Sequence, residues 1–122
     1  MRIDRTETVE EECRPRRRTP RSIRERLVEA LVLLGDGQAQ IVSHTERSWA
    51  SITFAGTRHR VVLAFEGADA VEAGECFIAF LPDHEFAIRG QLVADAAVTR
   101  VDHAAAPPRL VITCELLLLE EA

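Results

Sequence analysis

Residues 48–65 read SWASITFAGTRHRVVLAF, and where the chain reverses within them decides the sheet. Apolar and polar side chains alternate on both sides of Gly56–Thr57, the period of half-buried strands. A glycine-first pair of residues suits a type II′ hairpin. A turn there sets Ala55 opposite Arg58 at its mouth, and it sets Phe54 opposite His59, Ile52 opposite Val61 and Ala50 opposite Leu63 on the core side. The other face carries Thr53 with Arg60, Ser51 with Val62, Trp49 with Ala64 and Arg47 with Glu66, the last an opposite-charge pair. This register makes Ile52, Phe54, Val61 and Leu63 core, lets His59 cap that core, and sends Trp49, Arg58 and Arg60 outward. A slip of one residue would reverse every assignment.

Working outward, "QAQIVSHT" at residues 38–45 alternates in the same way, with Glu46–Arg47 as a second short turn. The three segments then form a meander in which His44 lies beside Trp49. Before them, Ser22 and Glu25 have the spacing of a capping box, and Thr19 followed by Pro20 is the other candidate start. Ile23, Leu27, Ala30, Leu31 and Leu34 recur at helical spacing, and Gly35 closes the segment. After the meander, Asp69, Glu72 and Glu75 make a polar stripe opposite Val71, Ile78 and Leu81, so a second helix ends at Pro82. For its second half, "CFIAFL", a short strand is the alternative, because the run is apolar. Two long strands end the chain. Leu92, Ala94, Ala96 and Val98 share one face; Leu110, Ile112, Cys114, Leu116 and Leu118 share another. Leu116 to Leu119 are all apolar, which asks for cover on both faces and suggests a second subunit.

The expected architecture is α+β: an antiparallel five-stranded sheet, order α-β-β-β-α-β-β, with two helices packed on one face. Residues 1–18 form a polar arm and residues 19–122 one domain. This order of elements resembles that of type III secretion chaperones, which dimerise. The resemblance spans most of the chain, rests on topology alone, and implies a dimeric binding protein.

Composition limits the chemistry. Charged residues are 29% of the chain and the net charge is −5, so a nucleic-acid role is not expected. There is no lysine, tyrosine or asparagine. That rules out a Schiff-base lysine, a Walker-type loop and a phenolic nucleophile. All three residues have A/T-rich codons, which points to a GC-rich bacterial genome. No apolar run is long enough to span a membrane, and the N-terminus lacks a secretory core, so a cytoplasmic location is expected. Cys13, Cys76 and Cys114 show no C-x-x-C pairing; Cys76 and Cys114 read as core residues and Cys13 as exposed. The arm is locally basic at "RPRRRTPR". Its Arg17-Arg18-x-x-Arg21 spacing resembles the arginine arm of PilZ domains, but the D/N-x-S-x-x-G strand motif of those domains is missing.

No catalytic constellation stands at a diagnostic spacing. His84 between carboxylates in "DHEF" is a solvated loop rather than a metal site, and no metal or cofactor is expected. An interface or ligand patch is expected at His44, Trp49, Arg60 and Val62. Pocket candidates are His59, Asp95 and Glu115. The expected function is a small non-enzymatic binding or interaction protein acting as a homodimer. The alternative is a hot-dog-like ligand-binding domain or enzyme with a His59-centred pocket.

Overall fold

A computed structural model describes residues 22–121. The arm at residues 1–18, Cys13 and the Thr19–Pro20 start lie outside them. The elements are α1 (Ile23–Leu34), β1 (Gln40–Ala50), β2 (Ala55–Glu66), α2 (Ala68–Phe80), β3 (Gln91–Ala105) and β4 (Pro108–Glu120), with a 3-10 turn at Leu81–Asp83. One four-stranded antiparallel sheet has the order β1-β2-β4-β3. The fold is α+β as expected, with four strands rather than five.

The lost strand traces to the opening stretch. The chain reverses at Ser51–Phe54, where the Ser51 amide donates to the Phe54 carbonyl at 2.8 Å and the Phe54 amide to the Ser51 hydroxyl at 3.1 Å. A serine hydroxyl capping its own turn replaces the glycine-first hairpin. Gly56–Thr57 and Glu46–Arg47 are both inside strands. Arg47 therefore pairs with Arg58, and Glu66 with Arg109. Ile52 and Phe54, expected in the core, are 103% and 53% exposed. Without the third strand, the likeness to the chaperone topology also falls.

Gly56 has a different purpose from a turn. A Cβ there would overlap the Leu118 carbonyl oxygen and lie 3.0 Å from its carbon. The residue is glycine because β4 backbone passes too close for any side chain.

The core lies between the sheet and both helices. Val61, Leu63 and Phe65 of β2 and Leu110, Ile112, Cys114, Leu116 and Leu118 of β4 point into it. At twelve residues α1 is too short to stand alone in water. It docks through Leu27 and Leu31, both fully buried, at about 1.5–3 kcal/mol each. The Ser22–Glu25 capping box closes its start. "CFIAFL" is helical throughout, with Phe77 fully buried. Gly74 brings α2 against Phe65 and Leu110. α2 links β2 to β3, which run parallel with β4 between them.

Several finer expectations change. Cys76 is exposed, while Cys114 is buried and its thiol is pushed up to about 12 by burial and then by Glu115. Bulges at residues 93–95 and 98–100 break the alternation of β3, so Leu92 faces outward and Val93, Ala96 and Val98 inward. Leu116 to Leu119 are all buried within the single chain, so a second subunit is not needed to cover them.

Candidate functional site

Two places carry chemistry: a histidine cluster on the helix side of the sheet, and the face that neither helix covers.

The cluster follows from the corrected register. Because β1 runs unbroken through Glu46, alternate residues His44 and Glu46 share the inner face. They lie opposite Val61 and His59 on β2. His44 and His59 meet on the diagonal, with His44 Nε2 and His59 Nδ1 2.9 Å apart and the ring centroids 5.1 Å apart. Arg24, in the first turn of α1, donates to Glu46 Oε2 at 2.6 Å and to the His44 carbonyl at 2.8 Å. His59 is 2% exposed. His44 Nδ1 and His59 Nε2 are buried without a hydrogen-bond partner, at a cost of about 1–3 kcal/mol for each such group.

Burial is the main cause that lowers both histidines. His44 is held at about 4, with the Arg24 and His59 charges adding to burial and Glu46 opposing. His59 is lowered by burial against the pull of Glu46, with Arg24 adding. Glu46 is lowered first by its hydrogen bond from Arg24. At neutral pH the pair is therefore uncharged, and one ring donates to the other.

The sequence-derived site residues separate onto the two faces. Asp95 and Glu115 lie on the outer face, opposite in direction to His59, so the three do not line one pocket. His44 is inside and Trp49 outside, so they are not neighbours. Arg60 and Val62 share the outer face with Trp49, but Val62 stands six residues along β2 from Gly56, which pairs with Trp49. His84 is an exposed loop residue whose ring meets Phe86 edge-on at 4.6 Å. Arg24 and Glu46 were missed as partners. The available signal was the His44-x-Glu46 period of two, masked once Glu46 was taken for a turn.

The outer face is polarised around its middle rows. There β1 and β2 carry Arg47, Arg58 and Arg60, and β4 and β3 carry Glu115 and Asp95. Farther along, Arg100 pairs with Asp102 and Arg109 with Glu66, so the charges balance. Arg47 and Arg58 are direct cross-strand partners, a like-charge arrangement that is unfavourable in isolation. The acid nearest these arginines across the strands is Glu115, 3.9 Å from Arg60. A concavity of about 340 Å³ lies between Thr45, Arg47, Arg58, Arg60 and Glu115.

No family model, curated protein or solved structure matches the chain. Among the described residues, no helix is long and apolar enough to cross a membrane.

Proposed function

We propose that the protein is a non-enzymatic interaction protein that works as a homodimer, joined through the outer faces of two sheets. The observation that carries this reading is the polarity of that face. Across the sheet, the rows read Trp49, Gly56, Leu119, Leu92, then Arg47, Arg58, Leu117, Asp95, then Thr45, Arg60, Glu115, Ala97. A two-fold axis along the strands between β2 and β4 turns each row onto its own reverse. Trp49 then meets Leu92 of the second copy, Arg47 meets Asp95, and Arg60 meets Glu115. The pattern is self-complementary, as an isologous interface requires. It also gives the Arg47–Arg58 pair an acidic partner. Leu92 is 51% exposed and so has surface left to bury. Four strands spaced about 4.8 Å apart, over some eight residues, offer roughly 500 Å² per partner. That is the small end of specific interfaces, where reversible association is the rule.

Sedimentation of charge-swapped chains tests the reading. Arg47→Asp and Asp95→Arg should each dissociate the dimer, and an equimolar mixture should restore it as a heterodimer. Trp49→Ala should weaken association about 30-fold, the equivalent of about 2 kcal/mol. A parent chain that stays monomeric, or a mixture that fails to reassociate, overturns the proposal.

A further inference from the structure

The histidine cluster supports an inference independent of dimerisation. We propose that His44, His59 and Glu46 form a binding site for a late first-row divalent ion of the zinc type, clipping β1 to β2 beneath the first turn of α1.

The three side chains already converge: one ring nitrogen of each histidine and a Glu46 carboxylate oxygen all lie within 4.8 Å of one another. Two imidazoles and one carboxylate are a donor set that suits zinc, copper or nickel over magnesium or calcium. At metal–nitrogen bonds of about 2.0–2.1 Å, tetrahedral ligand nitrogens stand about 3.4 Å apart. The His44 Nε2–His59 Nδ1 separation of 2.9 Å must open by about half an ångström, within the reach of small χ rotations.

The surroundings fit a ligand set better than a core. The nitrogens without a partner, His44 Nδ1 and His59 Nε2, are not the ones an ion would take; it would bind the two facing nitrogens and the Glu46 carboxylate that converge beside them. An ion between the facing nitrogens takes both lone pairs, where a hydrogen bond uses only one. Arg24 holds one carboxylate oxygen of Glu46, Oε2, and also ties the His44 carbonyl, the place an outer-shell partner takes in metal sites. Glu46 is exposed, so the fourth position opens to solvent. His44 and Glu46 sit two apart on one strand and His59 on the next, so backbone pairing presets the geometry.

Calorimetry with Zn2+ on the full chain tests the site, with Co2+ absorption to report the donor atoms. The expected result is one ion per chain with micromolar or tighter affinity, unaffected by excess Mg2+. Co2+ should show the visible bands of nitrogen and oxygen ligation without a thiolate charge-transfer band. Zn2+ should shift the His44 and His59 ring nitrogens in 15N spectra. His44→Gln should weaken binding at least about 100-fold and Glu46→Gln about 10–100-fold, both with unchanged circular dichroism. These two positions keep the test open if His59→Gln fails to fold. Trp49→Ala should bind as the parent does, which separates this site from the dimer interface. Unchanged affinity in His44→Gln, a thiolate band, or no stoichiometric binding overturns the proposal.

Discussion

Gly56→Ala decides between two readings of the stretch at residues 48–65. The added methyl would meet the carbonyl oxygen of Leu118, its carbonyl carbon at 3.0 Å and Leu119 Cα at 3.0 Å. An ordinary contact needs about 3.5 Å and the overlap with the carbonyl oxygen is the closest, so the β4 backbone must retreat by about an ångström or more. None of these atoms belongs to a side chain that can rotate away. The retreat disturbs the ladder where Gly56 pairs with Leu119 and lifts Leu118 from the core. Forced overpacking of this kind costs about 1–3 kcal/mol, and each ladder hydrogen bond lost costs about 1 kcal/mol more. Against that, alanine restricts the unfolded chain and returns about 0.4–1 kcal/mol. The net is a loss of about 2–3 kcal/mol. In urea unfolding, with a slope of about 1–1.5 kcal/mol/M for a chain this small, the midpoint should fall by about 2 M. Gly74→Ala is the comparison. Its new methyl meets only side-chain atoms, Leu110 Cδ2 at 2.7 Å and Phe65 Cδ1 at 2.9 Å, and mid-helix alanine is favoured by up to about 1 kcal/mol. It should cost less than half as much. A Gly56→Ala midpoint equal to or above the parent's would refute the close approach of β4, and with it the pairing of these strands.

Phe54→Ala should cost under about 1 kcal/mol in the same assay, because the ring is half exposed at the turn, whereas Phe77→Ala should cost about 3–5 kcal/mol. Equal costs would return Phe54 to the core. In a Cys13→Ser chain, one thiol should react rapidly with a disulfide reagent and the second only on unfolding. Cys76 is exposed, and Cys114 is buried with its thiol pushed up to about 12. Two fast thiols would contradict the burial of β4.

The sequence by itself determined the elements whose signals are local. The capping box at Ser22 and Glu25 and the leucine spacing were enough for α1, since both act within one helical turn. The alternation from Leu110 to Leu118 was enough for the inner face of β4, and five of those side chains are in the core. The polar stripe of Asp69, Glu72 and Glu75 was enough for the first half of α2, while its second half, "CFIAFL", is open between helix and strand in the sequence alone. What only the tertiary structure decided is everything that depends on register. Alternation is unchanged when a turn moves by an even number of residues. The outward direction of Arg58 and Arg60 was therefore legible, while their partners and the number of strands were not. Gly56 looked like turn chemistry because the sequence cannot show a neighbouring backbone. The histidine pair was hidden for the same reason. His44 and His59 are fifteen residues apart, and nothing local joins them. They meet only because the Ser51 hydroxyl closes the reversal that pairs Glu46 with His59, and because α1 then brings Arg24 across to Glu46.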